Sequence, residues 1–220
     1  MIKPLTLTAC QDNCTVILSR NTVDLFTLFY STNYLPGWHR YNKGQEIKLY
    51  KAGDFVQFAN SRSDVFSDIN GHWQFILTGF ISASGSVQSL LNFSNECTPY
   101  CFWKLFRDCK TLVHPPELTA TKLALYCYAE MFSYCESLKY APELPAKKME
   151  THCYYNMFNE CTKIKEAPEL PAKALAISCY EGMFGDCYSL KLPPKLPARS
   201  LAPYCYQQMF FQIFLFFLRY

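Results

Sequence analysis

Hydrophobic and polar positions alternate along the first part of the chain and recur with a long period along the second. In residues 1–85, short runs rich in Val, Ile, Thr, Phe and Tyr predict β-strands, and turn-forming residues such as Asn70-Gly71 separate several of them. The predicted strands are Leu5–Ala9, Thr15–Ser19, Leu25–Tyr30, Glu46–Tyr50, Phe55–Ala59 and Trp73–Thr78. Six short strands at this spacing predict a β-sandwich-like domain over residues 1–85.

From residue 86 onward the pattern changes to a nine-residue block that recurs every 26 residues. The complete copies are Cys101–Cys109, Cys127–Cys135, Cys153–Cys161 and Cys179–Cys187. A fifth copy begins at Cys205 and loses the pattern after Phe210. A period of 26 residues lies within the range of about 20–29 that leucine-rich repeats show. We therefore predict a repeat domain over residues 86–220, with four full repeats from Cys101 and a truncated fifth.

The hydrophobic positions inside one block predict a short helix. Cys127, Met131, Phe132 and Cys135 have offsets of 0, 4, 5 and 8, which would place them on one helical face. The following segment, Leu138–Leu144, contains a proline and is predicted to be extended. The predicted fold class is therefore α+β, a β-sandwich-like domain followed by a leucine-rich-type α/β solenoid. Between the two, residues 82–86 predict a linker, and residues 87–91 predict a short capping helix.

Twelve cysteines are the most unusual feature of the composition. Nine of them recur in register, which predicts two buried structural ladders, since cysteine is a good small apolar core residue. The first ladder is Cys101, Cys127, Cys153, Cys179 and Cys205, and the second is Cys109, Cys135, Cys161 and Cys187. Disulfides between repeats and a metal site stay open as alternatives. The remaining three cysteines, Cys10, Cys14 and Cys97, have no assigned role.

Charge and hydropathy narrow the class of partner. The net charge is only +3 and the basic residues are scattered, whereas a nucleic-acid footprint needs clustered Lys and Arg. The apolar C-terminal run is shorter than the about 20 residues that a membrane-spanning helix needs. No metal or cofactor motif is present in the sequence, so neither is expected. The repeat does place like residues in rows, and two charged rows are candidate binding surfaces: Lys139, Lys165 and Lys191, and Glu117, Glu143 and Glu169.

The repeat residues resemble those of the BspA-like leucine-rich repeat surface proteins of Bacteroidetes and related bacteria. The similarity lies in Cys127-Tyr128-x-x-Met131-Phe132-x-x-Cys135 and in Ala141-Pro142-Glu143-Leu144-Pro145-Ala146. Part of the front domain, around residues 28–32 and Trp38, is similar to the β-domain that precedes those repeats. This resemblance implies a right-handed solenoid at the cell surface or outside the cell, used in adhesion. It supplies no catalytic residues.

These observations predict a non-enzymatic protein that binds a protein or glycan partner. The alternative is a structural or receptor-recognition component of a phage tail or surface assembly. An enzyme would need a nucleophile beside an oriented base, and the nearest candidate is Cys153 beside His152. No signal peptide is visible at the start of the chain. The apolar residues 211–218 predict self-association through the C-terminal end.

Overall fold

The computed structural model describes residues 2–21, 28–62 and 66–213. Its strands are β1 (Leu5–Ala9), β2 (Cys14–Arg20), β3 (Leu28–Thr32), β4 (His39–Arg40), β5 (Glu46–Leu49), β6 (Phe55–Asn60), β7 (Trp73–Thr78), β8 (Ile81–Ser84) and β9 (Leu112–His114). Among the described residues, one helix is present, a 3₁₀ helix at Val87–Leu91. The structure is therefore nearly all-β.

The strands form two sheets. One has the order β4-β3-β6-β1-β8-β9 and the other has the order β5-β2-β7. All pairings are antiparallel except that of β8 with β9, which is parallel. In β2 every second side chain is buried, from Cys14 to Arg20. This alternation is what a sheet produces when one of its faces packs against a core.

The strand predictions are confirmed at β1, β2, β5, β6 and β7, within one residue at each end. The prediction for Leu25–Tyr30 falls partly outside the described residues, and the observed strand there is β3.

The predicted linker at residues 82–86 is wrong, because most of it belongs to β8, which pairs on one side with β1 and on the other with β9. Gly85, which follows β8, has a left-handed backbone conformation with a φ of 65°. A Cβ at this position would clash with the Pro4 carbonyl oxygen. The predicted short helix is the 3₁₀ helix, whose residues are all buried.

The predicted α+β class with an α/β solenoid is wrong, because no block of the repeat is an α-helix. The five blocks, Cys101–Cys109, Cys127–Cys135, Cys153–Cys161, Cys179–Cys187 and Cys205–Ile213, consist of consecutive turns. We call them turn blocks, and we call the chain between two of them a linking segment. An α-helix would satisfy its N–H groups within the block, whereas here half of them bond to the next turn block.

Backbone hydrogen bonds join each turn block to the next. The N–H of Tyr128 donates to the Cys153 carbonyl oxygen at 3.0 Å, and the N–H of Phe132 donates to the Met157 carbonyl oxygen at 3.0 Å. The residues between them bond locally, as Met131 N–H does to the Tyr128 carbonyl oxygen at 3.3 Å. The blocks therefore stack in parallel register, with residues 26 apart in sequence one above the other.

A left-handed residue recurs every four positions, beginning at the residue before each turn block. Tyr126, Glu130 and Tyr134 have φ angles of 53°, 52° and 63°. A non-glycine residue with positive φ does not fit an α-helix, but it suits the third position of a tight turn. The same conformation occurs at the equivalent residues His152, Asn156, Glu160, Ser178, Gly182 and Asp186.

Stacked rings fill the space between turn blocks. The rings of Phe132 and Phe158 lie 5.7 Å apart with an interplanar angle of 1°, and Tyr128 and Tyr154 lie 5.8 Å apart at 6°. At the front of the stack, Phe106 packs on Phe75 of β7, with ring centroids 4.8 Å apart. The hydrophobic core thus runs without interruption from the sheets into the stack. Each ring is buried by a ring of the neighbouring block, so the stacks stabilise the array of repeats and not a single repeat.

Candidate functional site

The acidic row lies along a trough on the linking segments. Glu117 and Glu143 line a groove of about 440 Å³ together with Pro115, Pro116 and Leu118. Glu143 and Glu169 line a neighbouring groove of about 420 Å³. Both grooves share Pro142 and Pro145. The two grooves therefore form one continuous trough, with an exposed carboxylate contributed by each of the three linking segments that line it. The fourth linking segment carries Lys195 at the equivalent position.

The basic row borders a smaller pocket. Lys139 and Lys165 line it with Tyr140, Lys163 and Ser189, around a volume of about 210 Å³. Sequence reasoning missed Lys163, because its equivalents in the neighbouring linking segments are serines and it belongs to no lysine row. It also missed Tyr140, whose equivalents are unlike one another.

The third lysine of the row, Lys191, continues the line beyond the pocket. Its N–H donates to the Lys165 carbonyl oxygen at 3.1 Å, which places these two residues on adjacent linking segments. In the same way Lys139 N–H donates to the Val113 carbonyl oxygen at 3.1 Å. The row predicted from the period is therefore a spatial row, and all three lysines are exposed.

The second cysteine ladder is buried and hydrogen-bonded. Each thiol donates to a backbone carbonyl of the preceding unit: Cys135 to Phe106 at 3.1 Å, Cys161 to Phe132 at 3.0 Å, Cys187 to Phe158 at 3.0 Å and Cys109 to Phe75 of β7 at 3.2 Å. These cysteines therefore act as donors as well as apolar filling, which the sequence interpretation did not include. Burial raises the pKa of all four thiols.

The first cysteine ladder is buried too, with Cys101, Cys127, Cys153 and Cys179 fully inaccessible and Cys205 nearly so. Cys97 lies beside the first two cysteines of this ladder, Cys101 and Cys127. The Gln88 side-chain amide lies 3.7 Å from the Cys97 sulfur and donates to the Tyr128 hydroxyl at 3.0 Å. Cys14 is buried, with its thiol donating to the Phe80 carbonyl oxygen at 3.6 Å between β7 and β8, and Cys10 is exposed. All twelve cysteines lie in the described part of the chain and are free thiols.

Two further sequence features have definite places. The tyrosines that recur every 26 residues belong to the core rather than to the surface, since Tyr128, Tyr154 and Tyr180 are buried in one ring stack. The fifth turn block does not break at residue 210 as predicted, because Phe210 still stacks on Phe184 and Ile213 is buried in the cysteine position. Of the C-terminal run expected to self-associate, residues 214–218 lie outside the described part. Phe211 is half exposed.

Cys153 and His152 do not form a catalytic pair. The Cys153 sulfur is inaccessible, contacts the Met149 sulfur at 3.9 Å, and has its pKa raised by burial. The His152 ring stacks on Tyr126, with centroids 4.4 Å apart. A cysteine nucleophile needs an accessible thiolate, and this environment suppresses thiolate formation.

A separate apolar concavity lies on the β part of the molecule. Ile2, Pro4, Phe29, Trp38 and Phe93 line it, around a volume of about 690 Å³. Trp38 is about half exposed. No charged side chain contributes to this lining, which distinguishes the concavity from the trough and from the lysine pocket.

Comparison of the chain with protein-family models, with characterised proteins and with solved structures gives no match. The resemblance to BspA-like proteins therefore depends only on the sequence motifs of the repeat and of the front domain. Within residues 2–21, 28–62 and 66–213, no three His, Cys, Asp or Glu side chains are grouped so that they could hold a metal ion. Over the same residues, no helix has the length and apolar character required to cross a membrane.

Proposed function

We propose that the protein is a non-enzymatic binding protein of the BspA-like kind, acting at the cell surface or outside the cell on a protein or glycan partner. The observation that carries this proposal is the trough, where Glu117, Glu143 and Glu169 repeat at the spacing of the stacked linking segments. Equivalent side chains in register present the same chemical group several times to one extended partner. Repeat proteins commonly bind through such continuous surfaces.

The environment of the trough supports binding better than catalysis. Its carboxylates are exposed, and its prolines restrict the backbone on both sides of each groove. A surface that is already rigid loses little conformational entropy when a partner binds, which favours affinity. Paired carboxylates for acid–base chemistry would need partly buried positions with separated pKa values.

Binding to arrays of extracellular-matrix proteins and of glycans tests the proposal. We expect the labelled protein to retain a defined set of ligands, and Glu143→Gln to weaken their capture, because Glu143 lines both grooves. The matched control is Glu150→Gln, an exposed glutamate that lines neither groove. Absence of any ligand on both arrays would overturn the proposed function. Equal capture by Glu143→Gln and Glu150→Gln would overturn the assignment to the trough.

A further inference from the structure

The pocket beside the lysine row has a one-sided charge. Lys139, Lys163 and Lys165 contribute three ammonium groups, and no carboxylate lines the pocket. Within the described part of the chain, none of these three lysines forms an ion pair. Like charges on neighbouring linking segments repel one another. An anion that binds between them relieves this repulsion and is therefore attracted to the pocket.

The nearby acidic residues do not neutralise this charge. Glu136 forms an ion pair with Lys110, with the ammonium nitrogen 2.7 Å from the carboxylate oxygen. Glu166 follows Lys165 directly, but within the described part of the chain it forms no ion pair with these lysines and does not line the pocket. The positive charge therefore stays available to a ligand, and Lys191 extends it along the stack.

An aromatic ring and a hydroxyl complete the pocket. Tyr140 is more than half exposed, and its ring stacks on His114 with centroids 5.6 Å apart and an interplanar angle of 6°. This stack fixes the ring beside Lys163 and Lys165. Ser189 adds a hydroxyl that can donate or accept a hydrogen bond. A flat apolar ring next to cationic donors suits a sugar ring that carries an anionic substituent.

We propose that this pocket binds an acidic glycan, a polysaccharide with carboxylate or sulfate groups, in an inference that rests on the proposed binding function. The sugar ring packs on Tyr140, and its anionic group lies between Lys163 and Lys165. Successive anionic groups along the glycan follow the row toward Lys191. A glycan with one charge per sugar matches a surface that carries a lysine at the same position of three successive linking segments.

Binding of chondroitin sulfate to the purified full chain tests this proposal, with neutral dextran and inorganic polyphosphate as comparison probes. We expect chondroitin sulfate to bind and dextran not to bind. Lys163→Gln/Lys165→Gln should weaken binding of chondroitin sulfate by about tenfold or more, because both charge-assisted contacts are lost. The control Lys148→Gln/Lys173→Gln makes the same change of net charge at exposed lysines outside the pocket and should leave the affinity within about twofold.

Tyr140→Ala separates a glycan from an anion alone. It should weaken the binding of chondroitin sulfate and leave that of polyphosphate unchanged. The proposal is overturned if chondroitin sulfate does not bind, if both lysine double variants weaken it equally, or if Tyr140→Ala has no effect on it. In each of these cases, ligands retained by the wild-type protein on the protein and glycan arrays would leave the broader proposed function standing.

Discussion

The Cys135 thiol donates a hydrogen bond to the Phe106 carbonyl oxygen across 3.1 Å, from one turn block to the one before it. The same relationship recurs at Cys161 and Cys187, with donor–acceptor distances of 3.0 Å to the carbonyl oxygens of the preceding block. A buried thiol therefore has two roles in the stack, since it fills apolar space and satisfies a backbone carbonyl. These roles can be separated by substitution.

Replacing Cys135 by serine should cost less stability than replacing it by alanine. Serine keeps a donor that can reach the Phe106 carbonyl oxygen, whereas alanine removes it, and a hydrogen bond contributes about 1 kcal/mol. Urea unfolding of the two variants measures the difference in the free energy of unfolding. If the ladder were only apolar filling, Cys135→Ala would be the better tolerated change.

Alkaline pH should destabilise the fold through the same ladder. Burial raises the pKa of the Cys109, Cys135 and Cys161 thiols, and raises that of Cys187 to about 12. In the unfolded chain the thiols have a pKa of about 8.5. Below that pH they are protonated in both states, so the free energy of unfolding does not depend on their titration. Above it only the unfolded state releases protons, and the free energy of unfolding falls by up to about 1.4 kcal/mol per pH unit for each thiol.

Urea unfolding at pH 7 and at pH 9.5, in the presence of a reductant, checks this pH dependence. Cys135→Ala should reduce the alkaline slope, because it removes one buried titrating group. Cys10→Ser is the control and should leave the slope unchanged, since Cys10 is exposed. A slope that is identical in all three proteins would count against the buried ladder.

Gly182→Ala should destabilise the stack by about 1–3 kcal/mol. Gly182 has a φ of 61°, and an added Cβ would lie 1.9 Å from the Asn156 side-chain oxygen of the preceding turn block. The equivalent residues Glu130 and Asn156 carry side chains at the same positive φ, so backbone conformation alone does not exclude a Cβ. Thermal unfolding in an Asn156→Ala background isolates the contact, and the cost of Gly182→Ala should be smaller there.

The strands could be predicted because the pattern that identifies a strand lies within the strand's own sequence. Alternation of buried and exposed side chains in segments such as Phe55–Asn60 is visible in the sequence itself. Strand β9 was missed because three residues, Leu112–His114, give too short a pattern, and their pairing with β8 is non-local. The position of residue 85 as a domain boundary stays a prediction.

The turn blocks were misassigned because a period of four was interpreted as a helix. Buried residues at offsets of 0, 1, 4, 5 and 8, as in Cys153–Cys161, repeat after four residues, while a helical face repeats after about 3.6. Asn156 and Gly182, at equivalent left-handed positions, carried a second signal for turns. Neither signal specifies that alternate N–H groups bond to the next block.

The charged rows were predictable for a different reason, since any stacking in register aligns residues that are 26 apart. The lysine pocket was not, because Tyr140 and Lys163 differ from the residues at the equivalent positions of the neighbouring linking segments, where Ser189 is the equivalent of Lys163. Only the path of the linking segments brings them together. Irregular residues within a regular array therefore define the more specific site.

Cross-linking within the lysine row tests the central claim, that equivalent residues of successive repeats are neighbours on one surface. Adjacent strands lie about 4.8 Å apart, within the Cα separation of about 4.4–6.8 Å that a disulfide spans. In a Cys10→Ser background, Lys165→Cys/Lys191→Cys should form a disulfide on mild oxidation, as detected by mass spectrometry of proteolytic fragments. Lys139→Cys/Lys191→Cys, two linking segments apart, should not. Absence of the first disulfide, or equal formation of both, would contradict the stacked arrangement and the binding surfaces that depend on it.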